Sequence, residues 1–355
     1  MSPLEFVHEG RPGRVVFGAG SLAHLEREVL SLGAERALVL CSPSQRGTAD
    51  AIAAQLGRRS AGLFDRATMH VPIELAREAR ALAMELQADC AIVVGGGSAI
   101  GLGKAIALES PIPIVAIPTT YAGSEMTPIY GLTEGGRKRT GTDPRVLPRT
   151  VIYDPELSRT LPVDVSVTSA FNAIAHAAEG LYARDADPIT MLMAEEAIRT
   201  ITAALPALAT AADDIELRSA LLCGAWLAGS VLGAVGMALH HRICHVLGGR
   251  LDLRHGATHA VVLPHALAYS AAAAPDAMLR IGRALGTTDA PAGLRDLARR
   301  IGAPLTLREL GMTGVDIDSV ADDVATSPPW NPRPIERDAI RALLSRALVG
   351  DPPAP

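Results

Sequence analysis

Six of the ten histidines of this 355-residue chain fall within one 26-residue stretch, at His240, His241, His245, His255, His259 and His265. Imidazoles titrate near neutral pH and are common transition-metal ligands, so this density points to proton handling or metal binding. Spacing sorts the six. His241 and His245 are four apart, which places them on one face of a helix. The segment LGGRLDLRHG then turns the chain and brings His255 to the start of the following helix. His259 and His265 read as packing residues. A seventh histidine, His176, stands four residues after Asn172 in a separate helical run, so these two also share a face.

A second kind of chemistry is carried by glycine. Gly95-Gly96-Gly97-Ser98 follows the apolar run AIVV and opens the helical run AIGLGKAIAL. Three successive glycines let backbone N–H groups close around an anion at a helix N-terminus, which marks a pyrophosphate site. The earlier Gly18-Ala19-Gly20-Ser21-Leu22-Ala23 fits G-x-G-x-x-A, and a tight turn that starts a helix accounts for it equally. A P-loop is excluded: counting back from Gly103-Lys104 puts Ser98 at the first glycine position, and Ala105 replaces the magnesium-binding hydroxyl. Thr119, Thr120 and Ser124 follow the next strand and offer hydroxyls to phosphate or ribose. Ser42 lies in the loop CSPSQR after the second strand. That loop carries no acid for a ribose 2′-hydroxyl and offers Arg46 to a 2′-phosphate, so NADH and NADPH are both compatible. Only two lysines occur, Lys104 and Lys138, and either one in a pocket would be informative.

Such groups need a rigid frame. Up to about residue 155, β-rich runs at 14–18, 37–42, 60–65, 90–97, 113–120 and 150–155 alternate with helical patterns, which predicts a parallel sheet covered on both faces. The proline-bearing runs among them are expected near sheet edges or strand starts. Beyond Asp154 the pattern is nearly all helical. A helix starts at 157–160, the runs 166–183, 188–211, 215–249 and 255–286 follow, 293–311 reads as a helical pair, and a proline-punctuated turn precedes the last helix. The expected fold is an α/β dinucleotide-binding domain with a parallel sheet at 1–160, followed by an all-helical substrate and catalytic domain at 161–355. Ligands of such pairs bind in the cleft between domains.

Composition narrows the partners. Hydrophobic residues make up 48% and charged residues 20%, which suits a packed globular protein. A net charge of −5 without a basic block argues against nucleic acid. Four widely spaced cysteines without a CxxC pair, and no secretory signal, favour free thiols in the cytoplasm. Leu221–Leu239 is nineteen residues without a charge, near the length of a membrane span. Four glycines interrupt it and it opens into HHRICH, so a buried core helix is expected and no membrane partner.

The GGGS loop, the PTT strand end and the helical half together resemble the iron-containing alcohol dehydrogenase family, on the dehydroquinate-synthase-like fold. That family's metal set is an aspartate and a histidine four apart, then two histidines fourteen apart. The matching positions here are Asn172, His176, His241 and His255, without the acid. FNAIAHAAEGLYA, IPTTYAGSEMTPIYGLTEGG, DPRVLPRTVIYDPEL, GMALHHRICHVLGG, VVLPHALAY and WNPRPI are similar to the maleylacetate reductase branch, where Asn occupies that position. A neutral amide substitutes poorly for a carboxylate at a hard-metal site. The resemblance implies NADH- or NADPH-dependent reduction of the C=C bond of maleylacetate to 3-oxoadipate in aromatic-compound degradation, with no metal, by a homodimer. Under it, His241 and His255 stabilise enolate charge, while His176 and Asn172 complete the pocket. His245 lies beside the nicotinamide or in a proton relay. Arg242, Arg254 and Arg333, with Tyr121, contact the dicarboxylate. The alternative is a metal-dependent alcohol or aldehyde dehydrogenase of the same family.

Overall fold

The computed structural model describes residues 8, 13–69, 71–135 and 137–355. The chain divides into two compact units, Arg11–Leu161 and one built from Pro162–Pro355, to which His8 also belongs. His8 Nδ1 lies 3.0 Å from Asp187 Oδ2 in that second unit.

The first unit holds β1 (Arg14–Phe17), α1 (Leu25–Ser31), β2 (Ala37–Cys41), α2 (Arg46–Leu56), β3 (Ser60–Phe64), α3 (Ile73–Glu85), β4 (Cys90–Gly95), α4 (Gly97–Ala107), β5 (Ile114–Pro118), β6 (Ile129–Glu134), β7 (Arg137–Thr142) and β8 (Thr150–Tyr153). Six strands form one parallel sheet in the order β1-β8-β5-β4-β2-β3. Every residue of β2, β4 and β5 is buried, as strands covered on both faces must be. Alternation assigns the faces: Val39, Cys41, Ile92, Val94, Val115 and Ile117 share one core with Leu25 and Val29 of α1 and Ile52 of α2.

Two sequence expectations change here. β5 lies inside the sheet, between β8 and β4, although it ends in Pro118, and β8 lies inside it too, between β1 and β5, its run reaching Pro155 only after the strand has closed at Tyr153. Proline is tolerated because it closes the strand, and Thr119 N–H resumes the donation to Gly95 O at 3.2 Å. The antiparallel hairpin β6–β7 was not foreseen, since its polar RKRTGT strand lacks the apolar alternation that marks a strand.

The second unit comprises α5 (Val163–Gly180), α6 (Pro188–Leu208), α7 (Ile215–Ala234), α8 (Leu239–Leu251), α9 (His255–Ser270), α10 (Pro275–Leu285), α11 (Ala290–Arg300), α12 (Ile317–Thr326) and α13 (Arg337–Val349). Helix α7 is long and apolar enough to cross a membrane, and half of its most apolar window is buried. It packs against α5 and α6. The uncharged run does not continue as one helix, because Val235 turns extended and α8 begins afresh at Leu239. Residues 155–158 form a short 3-10 turn where a helix was expected to start. The expected pair at 293–311 is one helix followed by turns, with Gly302 and Gly311 at positive φ. α12 was not predicted. It joins α8, α9 and α13 around a core that includes Leu247, Val262, Val320 and Leu344.

Candidate active site

The candidate anion cradle of the first unit is made of backbone. Gly95 ends β4 at φ +136°, a conformation that side chains disfavour. Gly96 precedes α4, and a Cβ there would lie 2.9 Å from Thr120 Oγ1 and 3.0 Å from its Cγ2. No side chain caps α4, so the first-turn amides at Gly97 and Ser98 keep their donors for an anion. Thr119 is buried and its amide is already given to Gly95 O, whereas Thr120 is half-buried. The rival motif is already occupied: Gly20 N and Leu22 N each donate to the Asp154 carboxylate at 3.0 Å.

Behind the cradle stands Lys104, fully buried on α4. Its Nζ has four acceptors within hydrogen-bond distance for its three N–H groups: Ser124 O (2.6 Å), Ile129 O (2.7 Å), Thr127 O (2.8 Å) and Thr127 Oγ1 (3.0 Å). Burial pulls its pKa down to about 7, against the pull of nearby Glu125. Lys104 is therefore a tether that fixes the chain after Ser124. Glu125 accepts from Tyr153 Oη at 2.8 Å, and burial raises its pKa. The side chain of Lys138 lies outside the described residues. Tyr121, expected to touch substrate, is fully buried and turns no surface outward. Ser42 Oγ is 3.0 Å from Ser44 Oγ. Arg46 is not free, since it pairs with Asp50 (2.9 Å) and Asp65 (2.7 Å). Asp65, just after β3, supplies beside this loop an acid that the loop itself lacks.

In the second unit six histidines converge: His176 from α5, His240, His241 and His245 from α8, and His255 and His259 from α9. The rings of His176 and His241 stack with centroids 4.9 Å apart and planes 20° apart, and His241 lies 5.0 Å from His259. Asn172, one turn before His176, is buried on the same face. His245 and His255 are exposed, 6.2 Å apart. His265 is not in the group; burial and the nearby Arg295 and Arg346 push its pKa down to about 4. Gly256 lets α9 approach α5, because a Cβ there would sit 3.0 Å from the Thr168 carbonyl.

Sequence reasoning missed the residue that organises this group. Glu179 of α5 is fully buried and caps the start of α8, accepting from Ala238 N (2.8 Å) at Oε2 and His240 N (2.7 Å) at Oε1. Oε2 also accepts from His241 Nδ1 at 2.6 Å. A carboxylate only accepts, so Nδ1 carries the proton and the tautomer of His241 is set. His241 Nε2 is buried and has no hydrogen-bond partner among the described residues. A signal for Glu179 existed, since it follows His176 by three on the same helix. His259, expected only to pack, joins the network: its Nδ1 is 2.8 Å from His240 Nε2 and its Nε2 is 3.1 Å from His255 Nε2. His255 and His259 are four apart, a pairing that the sequence reading overlooked. Burial, reinforced by the neighbouring rings, holds His176, His240 and His259 neutral, well below the ordinary imidazole range.

The arginines are only partly available. Arg242 Nη2 donates to the Asp323 carbonyl. Arg333 Nη1 donates to Tyr269 O at 3.1 Å and its guanidinium lies 4.0 Å over the Tyr269 ring. Arg254 is exposed, next to His255 at the start of α9.

The donor set does not fit a metal at the four family positions. Among the described residues one group of three donors has all its ligand atoms within 4.8 Å of one another, and it is His240, Cys244 and His259, not His176, His241 and His255. That group fits poorly as well. Its two ring nitrogens are 2.8 Å apart, a hydrogen-bond distance, whereas two nitrogens on a tetrahedral zinc lie about 3.3 Å apart.

Residues 12–155 match the iron-containing alcohol dehydrogenase model, and residues 166–348 match the C-terminal model of the Fe-containing alcohol dehydrogenase family. The chain belongs to the iron-containing alcohol dehydrogenase family. Within it, the chain is 59% identical over 349 residues to a maleylacetate reductase of Burkholderia cepacia, covering 98% of this chain and 99% of that protein. The crystal structure of maleylacetate reductase from Agrobacterium tumefaciens superposes with a TM-score of 0.96 at 51% identity, covering 99% of this chain and 100% of that one. An iron-containing alcohol dehydrogenase from Corynebacterium glutamicum gives 0.94 at 44% identity, with 99% of each chain covered.

Proposed function

We propose that this oxidoreductase reduces the C=C bond of maleylacetate to 3-oxoadipate with NADH or NADPH, in the breakdown of aromatic compounds, and that it does so without a metal ion. The likeness to maleylacetate reductases over nearly the whole chain supports the substrate. The observation that carries the mechanism is the buried Glu179–His241 pair.

NAD(P)H supplies the hydride, which adds to the alkene carbon β to the ketone. Negative charge then develops on the ketone oxygen. His241, once it has taken a second proton from solvent onto Nε2 while Nδ1–H stays held by Glu179, donates from Nε2 to that oxygen, and the carboxylate at 2.6 Å balances the imidazolium. A preorganised donor of this kind is worth about 3–4 kcal/mol. His176, kept neutral by burial, stacks on His241 and holds its plane, and the Asn172 amide adds a polar group on the same face. A proton delivered through exposed His245 or His255 to the adjacent carbon completes the reduction, with the ketone retained. Arg254 is the arginine best placed for a carboxylate, because Arg242 and Arg333 already spend donors on carbonyls. The cradle at Gly95–Ser98 takes the pyrophosphate. Arg46 is shared between two carboxylates, so a 2′-phosphate must compete for it, which favours NADH over NADPH.

The test is loss of 340 nm absorbance from NADH with maleylacetate, with 3-oxoadipate identified as product and NADPH run in parallel. Stoichiometric conversion is expected, faster with NADH. Oxidation of NADH only with simple aldehydes would replace this reading by an alcohol dehydrogenase.

A further inference from the structure

The amide at Asn172 accounts for the missing acid at the family's metal position, and a second obstacle stands at His255. This imidazole is the outer end of a hydrogen-bonded chain that runs inward through His259 to His240. His240 and His259 are fully buried, and His240 is held at its backbone by Glu179. Each contact in such a chain takes one N–H and one lone pair. The inner end fixes the direction. His240 Nδ1 is buried with no hydrogen-bond partner among the described residues, and an orphaned N–H is rarer than an orphaned acceptor. The lone pair therefore belongs on His240 Nδ1 and the proton on Nε2, which donates to His259 Nδ1. His259 in turn donates from Nε2 to His255 Nε2, whose lone pair is thereby occupied. The same contact holds the two rings close, at 4.4 Å between centroids.

We propose that His259, backed by His240, is a second determinant of metal exclusion: it holds His255 away from His176 and His241 with its Nε2 lone pair engaged. Restoring a carboxylate at position 172 alone then leaves a set of two histidines and an acid. Releasing His255 as well completes four ligands, the number a structural zinc site takes. The inference concerns these residues and no substrate, so it stands or falls apart from the maleylacetate reading.

The experiment compares the native chain with Asn172→Asp, His259→Ala and His259→Asn, and with the double variants N172D/H259A and N172D/H259N. All are stripped with chelator and checked for an unchanged thermal transition. Co²⁺ binding is followed by its visible absorption and Zn²⁺ binding by calorimetry, without substrate or cofactor. The Asn variant keeps a polar group in the buried position should the Ala variant not fold. The double variants are expected to bind one metal per chain at least tenfold more tightly than N172D. Equal affinity of N172D and the doubles would remove His259 from the account, and doubles no tighter than the native chain would overturn it.

Discussion

In the proposed function the two units prepare for negative charge in opposite ways. In Arg11–Leu161 the groups set out for an anion are backbone amides at the start of α4, exposed by glycines and braced from behind by Lys104. In Pro162–Pro355 they are side chains, each oriented by another buried side chain: Glu179 sets His241, and His240 and His259 set His255. A backbone cradle has one vulnerability, the arrival of a Cβ. A side-chain network has as many as it has hydrogen bonds, and removing one partner leaves the other buried and unsatisfied.

That contrast ranks the following substitutions. His241→Ala should cut kcat by roughly 10²–10³-fold, the usual loss for one preorganised donor, with little change in KM for cofactor. An unchanged kcat would show that charge is met elsewhere. Glu179→Gln should lower kcat by about 10²-fold and lower the melting temperature as well. Whichever way the amide turns, its NH₂ faces the N–H of Ala238 or His240, and the imidazolium loses its counter-charge. A full rate in this variant would detach Glu179 from the chemistry and leave it a helix cap. Gly96→Ala acts on the other unit. The new Cβ meets Thr120, so KM for NADH should rise about tenfold, equivalent to roughly 1.4 kcal/mol, with kcat at saturating cofactor retained. A fall in kcat with KM unchanged would contradict the division between the units.

The smallest effect expected is on stability against pH. His265 has its pKa lowered from 6.5 to about 4 on folding, and His176, His240 and His259 are lowered in the same direction. Below pH 4 both folded and unfolded chains protonate His265. Between pH 4 and 6.5 the unfolded chain takes up a proton that the folded one refuses, so stability rises with pH through this window and levels above it. Melting temperatures of the native chain should climb from pH 4 to 6.5, and His265→Gln should flatten part of the climb. An equal slope in both would remove His265 as a contributor.

The first unit was the more legible in sequence because its determinants are local. Apolar runs such as CAIVV give buried strands, and Gly95-Gly96-Gly97 announces a turn that only glycine makes without strain. The second unit was legible in part. The pairs Asn172/His176, His241/His245 and His255/His259 are all legible from helical spacing. The Glu179–His241 and His240–His259 contacts are not, because they depend on how α5, α8 and α9 cross, and no spacing rule reports a crossing. Arg46 shows the same limit, since its partner Asp65 follows the neighbouring strand β3.

In the proposed reaction side chains alone, led by His241, meet the charge that develops on the ketone oxygen. The most direct measurement is maleylacetate turnover by protein stripped with chelator and verified metal-free by elemental analysis, before and after addition of Zn²⁺ or Fe²⁺. Full turnover in the stripped protein and no gain on adding metal are the expected result. Loss of activity on stripping, with recovery on adding either ion, would contradict it.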